Sequence, residues 1–372
     1  MQKLFLMDLK NYKSEWEHSK RDSARAIITD DFSPNYSNNK ITESTKIALV
    51  YSQKYNYYKF PGGGINKNEK ITDALVREVS EETGLKVILN SVTEYGYVQK
   101  LQKSDYFDDK IFDQTSFYYL CKTENNHCIQ KLDDYEKDEG FILKTVPIKE
   151  AISVNRKCTA SDCTMICRET NVLQYLCKKT LQPTISFAHF LLDESEKLNP
   201  GLWKNHSLET AISAEKIALE IQKNGFDFDP EKAYILGLLH DIGRRNGHTY
   251  LAHVIDGYDY LMNFGFKDCA EICITHSFNE QKIESYIGKN DVSEEQYKKI
   301  ENLLKIRQFN DYDRLIQLLD ATCGADGTKN LENRMNDVKK RYGYYPKEKW
   351  DKNFELKNYF EKLMKKNLYD VI

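Results

Sequence analysis

Residues 63–85 read GGINKNEKITDALVREVSEETGL, and this stretch decides the fold of the first half of the chain. It fills every fixed position of the pattern G-x5-E-x7-R-E-U-x-E-E-x-G-U, in which U is a bulky apolar residue. The matching residues are Gly63, Glu69, Arg77, Glu78, Val79, Glu81, Glu82, Gly84 and Leu85. So many matches in one frame indicate a specific chemistry rather than coincidence.

The second part of this stretch predicts a helix over Thr72–Thr83, because its apolar residues can pack and Gly84 is placed to end it in a left-handed conformation. Glu78, Glu81 and Glu82 then stand at i, i+3 and i+4. Three carboxylates on one helix face repel one another unless a cation neutralises them. Mg²⁺ or Mn²⁺, which takes oxygen ligands and leaves room for water and phosphates, fits this face.

Two further features separate this stretch from an ordinary solvated acidic helix, which is what most charge runs are. Arg77 precedes Glu81 by four residues, so its guanidinium can hold a carboxylate in one orientation. Upstream, the run Pro61-Gly62-Gly63-Gly64 lets the backbone approach a metal and phosphates closely. A solvated helix needs neither feature.

These residues resemble the conserved box of the Nudix hydrolase family, over roughly residues 20–180. The resemblance implies an α/β/α sandwich that cleaves nucleoside diphosphates linked to another moiety. The residues that it implies as metal ligands are Glu78, Glu81, Glu82 and the carbonyl of Gly62, with Arg77 orienting them. The nucleotide stays open among oxidised nucleoside triphosphates, dinucleoside polyphosphates, ADP-ribose and NAD-like molecules.

The surrounding sequence is compatible with this fold. Strand-like runs occur at Ala24–Ile28, Lys46–Tyr51, Lys86–Val92, Glu94–Val98 and Ser116–Cys121, and a helical pattern at Ile148–Ser153. Nudix proteins often use one more acid from a downstream loop as catalytic base or extra ligand. Glu139 is our first choice because it lies just before the strand-like Phe141–Leu143, and Glu136 is the alternative.

Histidines cluster in the second half of the chain, where five of the eight lie between His206 and His276. An apolar helical stretch ends in the adjacent pair His240 and Asp241. His240, taken alone, is more often a structural residue than a ligand. Taken together with the distant Asp320, these histidines favour a metal site.

The order His, His-Asp, His, His, Asp resembles the HD-domain superfamily of metal-dependent phosphohydrolases, over about residues 184–345. The resemblance implies an all-helical domain in which one metal is held by His206, His240, Asp241 and Asp320. A dinuclear site would add His253 and His276, with Asp241 bridging. Imidazole and carboxylate ligands suit Mn, Fe, Co, Ni or Zn, and such an ion lowers the pKa of bound water toward neutrality.

The chain is therefore predicted to be multidomain, with a Nudix domain over residues 1–180 and an HD domain with a C-terminal helical extension over residues 184–372. The net charge of −3 without a long basic run excludes constitutive binding of duplex nucleic acid. No segment approaches the roughly 20 apolar residues of a membrane span, and the N-terminal apolar run is too short for a signal peptide. Nine cysteines then indicate free thiols in a reducing compartment, so we expect a cytoplasmic protein.

The predicted function is that of a bifunctional metal-dependent nucleotide phosphohydrolase. The first half would cleave a pyrophosphate bond, and the second half a phosphomonoester or phosphodiester, with Asp241 central to the second reaction. The alternative is a nucleotide-sensing Nudix module that regulates an HD phosphohydrolase. Intact Glu78, Glu81 and Glu82 argue against sensing, because binding alone does not need them. A third possibility is one active and one structural domain. The motifs specify no oligomeric state.

Overall fold

The computed structural model describes residues 1–29, 41–160 and 162–372. Within these ranges the chain forms two compact units. The first comprises Met1–Phe187 with Asn263–Gly265, and the second comprises Ala188–Met262 with Phe266–Ile372. The domain ranges 1–180 and 184–372 remain our proposal for where the chain divides in function.

The first unit is an α/β fold built around a mixed sheet. Its strands are β1 Lys3–Asp8, β2 Glu17–Thr29, β3 Lys46–Ser52, β4 Tyr57–Lys59, β5 Gly62–Gly64, β6 Leu85–Val87, β7 Thr93–Lys103, β8 Lys110–Cys121, β9 Thr123–His127 and β10 Phe141–Pro147. Its helices are α1 Ile71–Thr83, α2 Asp134–Glu139, α3 Ile148–Arg156 and α4 Cys163–Leu176.

The main sheet has the strand order β1-β7-β8-β2-β3-β10, with β4 paired to β3 and β5 paired to β2. Strand β2 is parallel to β8, where Ala24 lies opposite Phe117. It is antiparallel to β5, where Ala24 lies opposite Gly63 and Arg25 opposite Gly62. This second pairing holds the glycine run against the sheet.

Two apolar clusters attach helices to the sheet. In one, Ala24 of β2 packs with Leu75 and Val79 of α1. In the other, Val50 of β3 packs with Ile166 of α4. The sheet is thus covered by α1 and by α4, in agreement with the predicted α/β/α sandwich.

Helix α1 confirms the helix predicted from the box. It begins at Ile71, one residue before the predicted start, and ends at Thr83. Gly84 adopts a φ of 73° and its N–H donates to the carbonyl of Ser80 over 2.9 Å. A side chain at this position would collide with the carbonyl oxygen of Cys128, so the left-handed cap requires glycine.

One predicted strand is wrong in part. Lys86–Val92 was expected to be extended, but the strand ends at Val87 and a 3₁₀ turn follows at Leu89–Ser91. The Ser91 hydroxyl donates to the carbonyl of Ile88 over 2.6 Å, so the polar groups bond locally instead of extending a ladder. The other predicted segments lie within β2, β3, β7, β8 and α3.

The second unit is mostly helical. Its helices are α5 Ile185–Leu198, which begins in the first unit, α6 Trp203–Lys223, α7 Pro230–Leu239, α8 Ala252–Asn263, α9 Lys267–Thr275, α10 Glu294–Ile306, α11 Asp311–Asp320, α12 Leu331–Tyr342 and α13 Lys347–Met364. A short hairpin, β11 Cys323–Gly324 with β12 Gly327–Thr328, departs from the all-helical prediction. None of the helices in the described residues is both long enough and apolar enough to cross a membrane.

Candidate metal centres

The three glutamates of α1, the carboxylate cluster of the first unit, differ in exposure, and within the described residues they do not form a group whose ligand atoms all lie within 4.8 Å of one another. The side chain of Glu82 is 2% exposed, that of Glu78 15% and that of Glu81 39%. The cluster therefore extends from a buried carboxylate to an accessible one. This gradient arises because Val79, Glu82 and Thr83 lie on the buried side of the helix.

Arg77 ties this cluster together. Its Nη1 donates to Glu78 over 2.7 Å and to Glu81 over 3.1 Å, as expected for an orienting guanidinium. Glu69 grips the same guanidinium through Nε and Nη2 at 2.8 and 2.9 Å. Hydrogen bonds from Arg77 lower the pKa of Glu69 to about 2. Glu69 therefore stays charged and holds the guanidinium of Arg77 in one orientation. Its place in the box was visible in the sequence, but this role was not.

The glycine run lies against the carboxylates. A side chain at Gly63 would lie 2.2 Å from Oε2 of Glu78, so it would displace that carboxylate from its present position. The N–H of Gly62 donates to Oε2 of Glu82 over 2.9 Å. The carbonyl of Gly62, a predicted metal ligand, accepts from Nη1 of Arg25 over 3.1 Å.

Lys59 is a partner of the cluster that the sequence analysis missed. Its Nζ lies 2.5 Å from Oε1 of Glu82, and both side chains are buried. Burial raises the pKa of Glu82 to about 7, although the ammonium of Lys59 opposes the rise. A lone lysine inside the aromatic run Tyr57–Phe60 was the available sign that this charge has a buried counter-ion.

The two candidates for the additional acid lie in different surroundings. Oε2 of Glu139 accepts hydrogen bonds from the hydroxyls of Tyr57, at 2.7 Å, and Ser52, at 3.1 Å. Glu136 is buried, and its charge adds to the burial that raises the pKa of Glu82. The charge of Glu136 thus acts on Glu82, whereas Glu139 is held by Tyr57 and Ser52, and the choice between the two acids stays a prediction.

A cleft of about 280 Å³ opens beside the cluster. Two residues that line the cleft also contact acidic residues outside its wall. Lys59 donates to Glu82, and Tyr135 donates to Glu136 over 3.0 Å. The cationic and aromatic lining residues of the cleft are Arg21, Arg25, Lys59, Lys100, Arg168, Tyr55, Tyr57, Tyr135 and Phe141. Arg21 and Arg25 are four residues apart on β2 and so share one side of the strand, which a period-two reading could have detected.

In the second unit, the predicted ligands stand mainly at helix ends. His240 and His276 directly follow α7 and α9, and Asp320 is the last residue of α11. His206 lies in the first turn of α6 and His253 in that of α8. The carboxyl ends of three helices and the first turns of two others thus contribute the predicted ligands.

The six side chains form two adjoining groups, each with ligand atoms within 4.8 Å of one another. In the first, Nε2 of His206 lies 3.1 Å from Oδ1 of Asp320 and 3.2 Å from Nε2 of His240. The second group comprises Asp241, His253 and His276. The groups adjoin because the rings of His240 and His276 are 5.0 Å apart and Asp241 follows His240 in the chain.

In the second group, Oδ1 of Asp241 lies 3.2 Å from Nε2 of His253 and 3.5 Å from Nε2 of His276. Asp241 therefore meets the histidines predicted for a second ion, where the resemblance gives it a bridging role. Gly243 permits this arrangement, since a side chain there would lie 1.9 Å from the carbonyl oxygen of His253. The close approach brings α8 onto the His-Asp turn.

The donor set fits divalent metal. Nδ1 of His240 faces the carbonyl of Gly237 at 2.7 Å, and Nδ1 of His276 faces that of Ile272 at 3.1 Å. Nδ1 of His253 likewise faces the carbonyl of Tyr250. Because a carbonyl only accepts, each Nδ1 carries the hydrogen and each Nε2 keeps a lone pair for a ligand.

Charge and burial support the same conclusion. Oδ1 of Asp241 is buried and has no hydrogen-bond donor. Burial lowers the pKa of His240 to about 3 and also lowers that of His253, so these rings stay neutral. Burial acts to raise the pKa of Asp241, but the positive charge of Arg244 holds it well below its ordinary value. An ionised carboxylate among neutral imidazole lone pairs is a site that a cation completes.

Comparison with known proteins identifies two domains in this chain. Residues 41–160 match the family model of the NUDIX domain, and residues 203–324 match that of the HD domain. Both are families of hydrolases that act on phosphorus-containing bonds. Their order along the chain is the one predicted from the motifs. Neither match reaches residues 325–372.

Each of three similar proteins covers only part of this chain. The 8-oxo-dGTP diphosphatase of Buchnera aphidicola subsp. Schizaphis graminum (strain Sg) is 40% identical over 52 residues, which are 13% of this chain and 40% of that protein. The MutT protein of Bacillus halodurans is 18% identical over 36% of this chain and 72% of its own, with a TM-score of 0.26. The NUDIX domain of Shewanella oneidensis NrtR, complexed with ADP ribose, is 14% identical over 39% and 84%, with a TM-score of 0.26.

Proposed function

We propose, from the premise that the chain carries a NUDIX domain followed by an HD domain, that it is a bifunctional metal-dependent nucleotide phosphohydrolase. One observation carries the proposal: each half has its own set of side chains of the types that bind divalent metal. In the first half these are the carboxylates held by Arg77, and in the second half the two His/Asp groups. Two separate reactions follow from two separate sets.

The first half would hydrolyse a pyrophosphate bond. Mg²⁺ or Mn²⁺ held by Glu78, Glu81 and Glu82 would neutralise the charge that builds up on the phosphates. Arg77 keeps Glu78 and Glu81 oriented, and Lys59 with the N–H of Gly62 orients Glu82. Water adds to one phosphorus atom as the bridging P–O bond breaks.

The cleft beside the carboxylates supports a nucleotide as the substrate. Its cations suit the phosphates and its aromatic rings suit a base. We assign Glu136 to the metal side, because its charge reaches Glu82, and Glu139 to the cleft, because Tyr57 and Ser52 hold it in the wall. A nucleoside triphosphate such as the one named for the Buchnera relative is a member of this substrate class.

The second half would hydrolyse a phosphate ester. Transition-metal ions held by the two His/Asp groups would activate water at neutral pH. The carbonyls that face Nδ1 of His240, His253 and His276 keep each Nε2 available as a ligand. Arg244 pairs with Asp241 over 2.6 Å and keeps that carboxylate ionised.

A panel of metals and substrates tests the proposal. The full chain is incubated with Mg²⁺, Mn²⁺ or Co²⁺ and with nucleoside triphosphates, 8-oxo-dGTP, dinucleoside polyphosphates, ADP-ribose and phosphate esters, and the products are identified by mass. We expect pyrophosphate cleavage with Mg²⁺ or Mn²⁺ and ester cleavage with a transition metal. Tight nucleotide binding without cleavage under any metal would support the sensing alternative instead.

Metal binding at the first site should depend on pH. Burial raises the pKa of Glu82 to about 7. Below that pH a proton on the Glu82 carboxylate competes with the metal ion, and above it the carboxylate is free to bind the ion. Mn²⁺ affinity should therefore rise by about tenfold between pH 6 and pH 8. Calorimetric titration in an Asp241→Ala background, which removes a ligand of the second site, measures this dependence.

A matched pair of variants controls the pH experiment. Glu82→Gln should weaken Mn²⁺ binding and flatten its pH dependence. Asp73→Asn removes an exposed carboxylate from the same helix and should leave both unchanged. If the Asp241→Ala chain that keeps Glu82 binds Mn²⁺ with the same affinity at pH 6 and pH 8, protonation of Glu82 does not compete with the metal.

A further inference from the structure

Helices α12 and α13 line a cavity beside the two His/Asp groups. Helices α12 and α13 follow residue 324, where the HD match ends. They contribute Arg334 and Lys349 to a cavity of about 150 Å³ that also contains His276 and Asp320. The C-terminal extension, whose role the motifs leave open, therefore reaches the candidate active site.

The cavity has a surplus of positive charge. Among the described residues that line it, Arg244, Arg334 and Lys349 are cations, and Asp320 is the sole carboxylate. Arg244 is paired with Asp241 over 2.6 Å, so Arg334 and Lys349 are the two cations that exceed the single charge of Asp320. Metal ions at the HD ligands would increase the surplus, so the complementary ligand of this space is an anion.

Arg334 keeps its charge available to such a ligand. Its Nε donates to the carbonyl of Cys323 over 3.4 Å, and it forms no ion pair with a carboxylate in the part of the chain that the structure describes. A guanidinium has five N–H donors arranged as a planar fork, which matches the oxygens of a phosphate.

Lys349 joins α13 to the turn that follows the ligand His276. Its ammonium donates to the carbonyls of Ser277, at 2.6 Å, and Ser285, at 3.3 Å. One of its three N–H donors is left for a ligand. Burial lowers the pKa of Lys349 to about 8, as expected for an ammonium without an adjacent carboxylate.

We propose that α12 and α13 form the phosphate-binding wall of the HD site, with Arg334 and Lys349 binding the non-bridging oxygens of the phosphoryl group to be released. The inference rests on the proposed ester hydrolysis and narrows its substrate to a phosphomonoester. The cavity of about 150 Å³ has room for a phosphoryl group. A terminal dianion also matches two cations better than the single charge of a diester.

Inorganic phosphate is the probe for this wall. Its binding to the Mn²⁺-loaded full chain is measured by calorimetry, and the component that Asp241→Ala abolishes is assigned to the HD site. Arg334→Gln should weaken that component by about tenfold or more, because a charge-assisted hydrogen bond is lost. Its Mn²⁺ content, measured by elemental analysis, should stay that of the unaltered chain.

Three companion variants make the result specific. Arg334→Lys should recover part of the affinity, since it restores the charge without the fork. Lys340→Gln removes an exposed charge from the same helix, outside the cavity, and should have no effect. Lys349→Met should weaken phosphate binding as Arg334→Gln does, provided that its thermal unfolding shows a folded chain.

Hydrolysis separates the inference from the function on which it rests. If the unaltered chain cleaves a phosphomonoester and Arg334→Gln raises its KM about tenfold or more, both stand. If it cleaves the ester but Arg334→Gln changes neither KM nor phosphate affinity, the inference is overturned and the proposed function survives. If the unaltered chain neither binds phosphate nor cleaves any ester, the proposed function of this half fails and the inference fails with it.

Discussion

Glu82→Gln is expected to lower pyrophosphate hydrolysis by more than about 100-fold while the chain stays folded. Glutamine has nearly the size of glutamate and keeps an acceptor for the N–H of Gly62, but it cannot supply the anionic charge that a metal needs. Glu81→Gln should have an effect of the same order, because Glu81 is the accessible member of the cluster. Steady-state turnover on the best nucleotide of the panel measures both losses.

The chain provides its own controls for these variants. Asp73→Asn lies on the same helix, is exposed and should leave turnover unchanged. Ester hydrolysis by the second half should also persist in Glu82→Gln, which would show that the whole chain is intact. Near-normal pyrophosphate hydrolysis by Glu82→Gln would remove this residue from the metal site.

Asp241→Ala and His240→Ala are expected to abolish ester hydrolysis and to release the transition metal of the second half. Asp241 is an ionised buried carboxylate between two histidines, so a neutral side chain removes the one anionic ligand of its group. Metal content after dialysis, determined by elemental analysis, is the direct readout. His248→Ala removes an exposed histidine and should leave both activity and metal unchanged.

The same measurement counts the ions. If His253 and His276 are ligands, the unaltered chain should hold about two ions in its second half and His253→Ala about one. Mg²⁺ at the first site should be lost on dialysis, because its affinity depends largely on substrate phosphates. One ion in the unaltered chain, with no change in His253→Ala, would leave a mononuclear site made of the remaining ligands.

The box was readable in the sequence because its parts lie on one helix and the loop before it. A period of 3.6 residues places Glu78, Glu81 and Glu82 on one face whatever the rest of the chain does. Gly84 likewise ends the helix through its own backbone freedom, so the predicted end at Thr83 was confirmed. Features that depend only on residues a few positions apart can therefore be predicted without knowledge of the tertiary packing.

The additional acid and the counter-ion of Glu82 could not be found in the same way. Glu136 and Glu139 are nearly adjacent in sequence, yet the charge of Glu136 acts on Glu82 and Glu139 is bonded to Tyr57. Lys59 is 23 residues from Glu82, and their contact depends on how β4 lies against α1. Sequence spacing gives no distance between segments that meet only in the folded core.

By itself, the sequence determined two domains of known hydrolase families, the carboxylate face of α1 and the residue types of the histidine site. Only the tertiary structure decided how the six His and Asp side chains divide into two groups, because they come from five separate helices or helix ends. It alone brought Arg334 and Lys349 of the C-terminal helices to Asp320. The physical reason is that residue type and local periodicity are written along the chain, whereas a ligand cage or a cavity wall exists only where packed helices converge.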